Sequence, residues 1–542
     1  MKKLLFSSAC ILICLFAVTN GFAQITFSAD FENASLQKAE LVGMDNITSN
    51  GQSDVTVYKY EIEAKVDPVN PVDTSLAPSS RWFHFLIKNC NGQTINLKFT
   101  NSDPTGAVYS YDGVNYIRFN EEERVGRFNV QKQFENDSVY VAYYVPYTYS
   151  KLMKRVHEWN RNECVLLSSI GQSTRGLEMP LLIITDGIKG ISNKYNAGSS
   201  EITEQLLKKA CKGKKIVYIH GRVHPSESPA SWNLDGIIDG ITADSRMAKE
   251  LREKAVFFIL PFTNPDGVAG GCSRSNMEGI NLEINWARGN DQTAVEVKNM
   301  KRFLNSLLSK HRIDLVLNMH SQIDNSATFW VHSAESTSDE CFRKLMLICS
   351  TTTSGNPYFN NDELSYSGCA ERYMEGWFWN QFKERTPAIT FETPYGYYHH
   401  DSTGVWVTTD NLRKMGMENN LASIMDYLQI STSDRVLLPA PSSKKGLKAI
   451  RTDRYVTFTG KVMATKENAT KAEASYKIKN LKPGSYNVYM WVPGKVNDKD
   501  EAGTNRWELV DSITNTSNGK FVYKYELKDM SENPDALLLI RK

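Results

Sequence analysis

The sequence predicts a multidomain protein: a central α/β domain with a mixed, largely parallel sheet, flanked by an N-terminal and a C-terminal β-sandwich. Three observations predict it. A chain of 542 residues exceeds one ordinary domain. Between about 149 and 435, short and nearly continuous apolar runs alternate with helical patterns, the texture of strands buried on both faces and covered by helices. On either side of that stretch, apolar and polar positions alternate, as half-buried antiparallel strands require.

The first β-domain is expected over 25–148. "DVTVYKYEIEAKV" alternates with period two, "RWFHFLIKN" and "DSVYVAYYVPYTYS" are aromatic and β-branched runs, and "NPVD", "NSDPTG" and "YDGVN" punctuate them as turns. In the central domain, 149–435, the strand candidates are "IVYIH", "AVFFILPF", "IDLVLNMH" and "PAITFE". "VEVKNMKRFLNSLLSK" is an amphipathic helix between two of them. "LLPAPSSKKG", 437–446, reads as a linker. The β pattern returns over 447–542, long enough for a second small sandwich with Tyr489 and Trp491 in its core.

The N-terminus sets the expected compartment. "MKK" is basic, the following stretch is apolar but short for a membrane span, and Gly21 and Ala23 are small residues suited to cleavage after Ala23. Residues 1–23 therefore read as a signal peptide, and the protein as secreted or periplasmic. No later run is long enough to cross a bilayer. The formal charge is +2, and removing Lys2 and Lys3 leaves acids and bases equal in number, so nucleic acid is not an expected partner. The cysteines that follow the leader are scattered and lack CxxC pairs, which argues against a thiolate metal site.

The polar residues that end the buried strands carry the chemistry. His224 and Glu227 follow "KKIVYIH" in the tight turn "GRVHPSESPASW", His320 closes "IDLVLNMH", and Glu392 closes "PAITFE". Asn264, Asp266 and Arg274 follow "AVFFILPF". The carboxyl edge of an open α/β sheet is where ligands bind. Two imidazoles and a carboxylate are a usual catalytic zinc set with one position left for water. A second carboxylate that does not ligate, here Glu392, can accept that water's proton, and a fixed cation such as Arg274 can stabilise the oxyanion. Taken singly each feature is weak: His-x-x-Glu pairs decorate many surfaces, strand-end histidines are commonly core residues, and His399 and His400 suit a solvated loop. The ordered set is what points to one Zn2+.

That order resembles the zinc metallocarboxypeptidase family, in particular its cytosolic-carboxypeptidase-like branch. "HGRVHPSES" is similar to the zinc motif H-x-R-V-H-P-G-E with Ser226 in place of Gly, and "PFTNPDGV" to the branch's Asn-Pro-Asp-Gly segment. "CSRSNMEG", "LNMHSQ" and "ITFETP" fall where the family has its carbonyl-polarising arginine, third zinc ligand and general base. "FSADFENASLQKAEL", "RWFHFLI" and "YVAYYVPYTYSKL" resemble the small β-domain that precedes the catalytic domain in this branch. The resemblance covers about residues 25–430. It implies that His224, Glu227 and His320 bind zinc, that Glu392 is the general base, and that Arg274 polarises the scissile carbonyl of a peptide or amide substrate.

One departure matters. Where the family grips the substrate's terminal carboxylate with an Asn-Arg pair, this chain reads "GINLEINW", with Glu283 and Ile284 at those positions. Glu283 repels a carboxylate. Either another cation such as Arg288 takes over, or a free C-terminus is not required there. The favoured expectation is the second, with Glu283 meeting a substrate amino group or pairing with Arg274. Two other readings compete: a catalytically silent binding protein on the same fold, and an amidase or deacylase acting on cell-wall or small amide substrates. Tyr366, Tyr373 and Tyr395 are candidates for the family's substrate-capping tyrosine.

Overall fold

Eight strands form the central sheet, in the spatial order Val165–Gln172, Glu178–Ile184, Ala255–Leu260, Lys215–Gly221, Leu315–Gln322, Ala388–Pro394, Thr328–His332 and Leu364–Ser367. The structure is a computed structural model that describes residues 24–47, 55–195, 202–324, 326–359, 364–398, 406–495 and 506–542. The leader read at 1–23 lies outside the described residues, as do His399 and His400. The four middle strands are mutually parallel. Antiparallel pairings join them to both flanks, so the sheet is mixed with a parallel centre. The central strands are buried along nearly their whole length, which is why their sequences run apolar without alternation.

Helices cover both faces. Val295–Leu308 lays Val297, Met300, Phe303, Leu304 and Leu307 into one of the two large cores. Burying five such side chains contributes roughly 10 kcal/mol of transfer free energy. Ser228–Thr242, on the opposite face, is buried almost all round because later helices from 409–427 pack over it. Gly236 and Gly416 make that packing feasible: a Cβ on either would strike a backbone carbonyl, of Arg413 and Asn233 respectively.

Ahead of the central domain stand two sheets, one of five strands and one of four. They are not wholly antiparallel, since Val55–Glu63 pairs parallel with Thr94–Phe99. Between those two strands the chain visits the other sheet through His84–Lys88, and so re-enters the first in the same direction.

The C-terminal region is also sheet-rich. The segment read as a linker at 437–446 is part of it: Arg435–Leu438 pairs with the final strand Leu537–Arg541, and Ser443–Lys445 with Glu473–Leu481. Proline and serine mark only the turn between those two short strands. Trp491 is fully buried, with Nε1 donating to Val456 O at 2.7 Å, and packs on Phe458 and Trp507. Trp507 carries this cluster onto the central domain, where its Nε1 donates to Asp426 at 3.2 Å and its backbone N to Ser354 Oγ at 2.8 Å.

Asp535 sits beneath this cluster, fully buried. It accepts only the Phe458 backbone N, at 3.0 Å through Oδ2, while Oδ1 has no partner. Burial pushes its carboxyl up to about 8. A carboxyl whose folded pKa is raised binds protons more readily folded than unfolded, so its stabilisation is complete below the unfolded value near 4 and is lost as pH rises toward 8. The thermal midpoint is therefore expected to fall by several degrees between pH 5 and pH 9. Asp535→Asn, which keeps the acceptor for Phe458, is expected to flatten that profile in melts followed by circular dichroism.

Candidate functional site

The turn carrying His224 and Glu227 joins the strand Lys215–Gly221 to the helix Ser228–Thr242, and Glu227 is the residue just ahead of the helix. The turn is tight because Arg222 adopts φ 58°, a left-handed conformation that costs a non-glycine residue stability. Its buried guanidinium holds the turn in place: Nε donates to Pro225 O at 2.8 Å, and Nη1 to Tyr147 O and Ser231 Oγ, each at 3.0 Å.

His224, Glu227 and His320 meet at one point. His224 Nδ1 is 2.7 Å from Glu227 Oε1, His320 Nδ1 is 2.8 Å from Glu227 Oε2, and the two Nδ1 atoms are 3.2 Å apart. All three residues are 2% exposed or less. Ser321 N donates to Glu227 Oε2 at 3.1 Å, fixing the carboxylate against the strand that carries His320. A second carboxylate stands behind His224: Glu283 Oε2 lies 3.2 Å from His224 Nε2, in a contact too poorly aligned to count as a hydrogen bond. One ligand atom each from His224, Glu283 and His320 also fall within 4.8 Å of one another. The two acids nevertheless differ in place. Glu227 faces the nitrogens that point toward each other, and Glu283 faces the nitrogen that points away, the position of an outer carboxylate that orients a ligating ring.

This donor set fits a divalent cation. Two Nδ1 atoms 3.2 Å apart cannot both present lone pairs to each other without a proton or a metal between them. The Nδ1–Nδ1 separation is close to the edge of a tetrahedral shell with bonds of about 2.0–2.1 Å, which is about 3.3 Å, while the carboxylate contacts at 2.7 and 2.8 Å are shorter than that edge. The field asks for positive charge as well. Burial opposes ionisation of Glu227, but the two imidazoles outweigh it and hold the carboxyl well below its usual range. Burial lowers His320, yet Glu227, Glu283 and Glu392 together raise it to about 9.

Glu392 lies beside His320 across the parallel ladder, at paired positions of neighbouring strands. Its Oε1 accepts from Trp330 Nε1 at 2.8 Å. Burial, and then the repulsion of Glu227, push its carboxyl up to about 7. Arg274 reaches the same edge, half-exposed, with Nη2 3.1 Å from Glu283 Oε2. Burial would raise Glu283, but His224, His320 and Arg274 bring it down to about 2.

The loop that presents Arg274 is gripped from the N-terminal region. Asp67, itself buried, accepts three consecutive backbone N–H groups: Ser273 at 2.7 Å, Arg274 at 2.8 Å and Ser275 at 3.0 Å. Next to it Trp82 N donates to Ser273 Oγ at 2.9 Å. Arg81 points its guanidinium toward Tyr143, Tyr395 and Glu227, whose attraction outweighs burial and secures its charge. Arg118 bonds the carbonyls of Tyr395 (2.9 Å) and Val407 (3.2 Å), so the N-terminal region also holds the chain that follows Glu392.

The remaining sequence candidates are placed differently. Asn264 is fully buried and engaged with backbone, accepting Gly267 N at 3.0 Å and donating to Val223 O at 3.1 Å, as the cap of a short helix. It offers no polar atom to a ligand. Asp266 likewise binds Ser173 Oγ and Arg175 N. Arg288 is tied to Asp73 at 3.2 Å instead of facing the metal cluster. Of the tyrosine candidates, Tyr395 is buried beside Glu227 and Tyr143, and Tyr373 accepts from Arg372 at 3.1 Å. Sequence reasoning missed Asp67, Arg81, Arg222 and Trp330. Only Arg222 left a trace, inside the H-x-R-V-H-P string.

Residues 151–351 match the zinc carboxypeptidase family, and residues 46–144 match the cytosolic carboxypeptidase N-terminal domain. Glu392 lies beyond both spans. Mouse cytosolic carboxypeptidase 6 is 24% identical over 456 residues, covering 77% of this chain and 76% of its own length. Cytosolic carboxypeptidase 2 of Xenopus tropicalis is 24% identical over 56% of this chain but only 31% of its own length. The metallo-carboxypeptidase of Burkholderia cenocepacia superposes with a TM-score of 0.55 at 19% identity, over 75% of this chain and 99% of that one, and so shares the fold.

Equilibrium dialysis against Zn2+ is expected to find one ion per chain. His320→Ala and Glu227→Gln are expected to weaken binding by at least about 100-fold, and Glu283→Gln by about 10-fold, as an outer-shell change does. A larger loss in Glu283→Gln than in Glu227→Gln would exchange the places of the two acids.

Proposed function

Across residues 151–351 the chain is a member of the zinc carboxypeptidase family, and from that premise we propose that it hydrolyses a peptide or amide bond with Glu392 as general base and with altered recognition of the substrate's C-terminal carboxylate. The observation that carries this reading is the meeting of His224, Glu227 and His320 within hydrogen-bond distance of one another, beside Glu392 and Arg274 at the carboxyl edge of the sheet.

In this reading His224 Nδ1, His320 Nδ1 and Glu227 hold the zinc. When bound, the ion supplies Lewis acidity that makes water a competent nucleophile at neutral pH. Trp330 engages Glu392 Oε1, which leaves Oε2 to take the proton and return it to the leaving amine. Arg274 keeps its remaining N–H groups for the oxyanion, and Asp67 fixes the backbone from which it projects. Glu283, ionised and fixed by Arg274, would repel a terminal carboxylate where the resembling family grips one. That supports substrates whose far side is neutral or cationic, and it leaves room for an amide that lacks a terminal carboxylate.

Two further elements belong to the proposal. The paired sheets at either end are read as sandwiches, supported at the N-terminal end by inner residues of both sheets, such as Ile62, Leu97, Phe85 and Val141, sharing one core. The basic and apolar leader supports export, with Gln24 as the first mature residue. No helix among the described residues is long and apolar enough to cross a membrane.

Glu392→Gln is expected to lower kcat by about 10³-fold while zinc content stays at one per chain. A base must be unprotonated, so activity rises with pH. The acid limb is expected below about 7, because a cation on Glu227 relieves part of the repulsion that raises Glu392. Peptides with amidated C-termini are expected to be cleaved within about tenfold of their free counterparts, a margin of about 1.4 kcal/mol. Strict dependence on a free α-carboxylate would remove the altered-recognition reading, and normal turnover by Glu392→Gln would remove the assigned base.

A further inference from the structure

A cation contributed by the N-terminal region stands at the edge of the site without an acid of its own. Arg81 lies just ahead of the strand His84–Lys88, and the backbone around it is pinned at the junction with the central domain. Ser102 Oγ donates to its carbonyl at 2.5 Å. The next residue, Trp82, donates its backbone N to Ser273 Oγ and its Nε1 to Asn33 O, each at 2.9 Å. Ser273 O in turn accepts Ser226 N at 3.1 Å, and Ser226 immediately precedes Glu227. Two hydrogen bonds through one serine therefore join the backbone beside Arg81 to the turn that carries His224 and Glu227.

The neighbouring charges are already matched. The ion pairs of this edge join His224 and His320 to Glu227, His224 to Glu283, and Arg274 to Glu283; among the described residues none includes Arg81. Its guanidinium faces Tyr143, Tyr395 and Glu227. The two phenol rings meet edge-on with centroids 4.9 Å apart, and burial keeps both neutral. That leaves Glu227 as the charge Arg81 answers to, and in the proposed site Glu227 belongs to the metal. Arg81 is partly exposed, so a ligand can reach it, and partly buried, so water does not fully meet its charge. The edge is also polarised. Glu283 and Arg274 stand at the outer nitrogen of His224, and Arg81 stands at Glu227. A substrate laid across the metal ligands thus has one end against a carboxylate and the other against a guanidinium. Glu283 occupies the place where the resembling family grips the leaving residue, so the guanidinium falls to the acyl end.

We propose that Arg81 is a substrate-binding residue whose guanidinium receives the carboxylate of an acidic side chain on the residue that supplies the scissile carbonyl. A planar fork of N–H donors matches a carboxylate in two parallel bonds, and a charged acceptor bonds more strongly than a neutral one. A side-chain amide at the same place offers one acceptor oxygen and no charge, and a lysine brings a second cation. The inference rests on the hydrolase reading only for which end of the substrate is the acyl end; capture of a carboxylate by Arg81 stands apart from turnover.

The test measures binding of the acyl products N-acetyl-L-glutamate and N-acetyl-L-aspartate, and of their side-chain amides N-acetyl-L-glutamine and N-acetyl-L-asparagine, to the zinc-loaded full chain by calorimetry. Hydrolysis of blocked peptides that differ only in carrying those residues on the acyl side is followed alongside. The tighter acid is expected to bind at least tenfold more tightly than its own amide. Arg81→Gln is expected to bring the two within threefold, with amide binding unchanged and zinc at one per chain, and Arg81→Lys, which keeps the charge but not the fork, to fall between. Acid and amide binding equally, no detectable binding of either acid, or discrimination untouched in Arg81→Gln would each overturn the proposal. So would loss of zinc from Arg81→Gln, which would make Arg81 a support for Glu227 instead. Peptide hydrolysis without an acidic preference removes the role of Arg81 and leaves the hydrolase; acid discrimination without hydrolysis does the reverse.

Discussion

The site depends on one carboxylate shared by two imidazoles. Glu227 presents an oxygen to each Nδ1 of His224 and His320, with all three groups out of water. Taking that charge out of water is costly unless it is matched, and here the match is two ring nitrogens and the Ser321 backbone N–H. Much nearby structure serves to keep those groups coincident. Arg222 holds the strand-to-helix turn in a conformation a non-glycine residue resists, and parallel pairing brings His320 level with Glu392.

The N-terminal region is part of this machinery. Three consecutive N–H groups converging on Asp67 make a compact anion-binding concavity, filled from another part of the chain. The Arg274 loop is therefore held by a residue some two hundred positions upstream. Close approach requires Gly271 as well: it adopts φ 68°, and a Cβ there would strike the Ala34 carbonyl. Arg118 performs a similar service for the segment after Glu392, bonding two carbonyls of it and stacking over Trp406. The region thus braces both cationic and acidic arms of the site.

Charge distinguishes this edge from the pattern its sequence resembles. Placing Glu283 where an amide is expected neutralises Arg274 on one side and backs His224 on the other. The same carboxylate also lines a small buried space beside His220, Thr263 and Asn318. Glu283 thereby sets the field at His224, at Arg274 and in the small space behind it together, because all three lie against this single carboxylate.

Buried parallel strands, an amphipathic helix at Val295–Leu308 and the strand-end residues His224, Glu227, His320 and Glu392 were legible in the sequence. Period, apolar continuity and chain order are local properties, and a strand's carboxyl end says which way its last residue faces. The linker at 437–446 was misread because proline and serine signal turns but not the pairing of the short strands around them. Asp67 and Trp330 left no mark, since an acid that grips distant backbone and an indole that engages a strand-end carboxylate look like any other residue in one dimension. Sequence alone determined which residue types meet at the sheet edge. Tertiary structure decided which carboxylate faces which nitrogen, and which charges remain without a partner, because both depend on ångström-scale distances between segments that chain order does not encode.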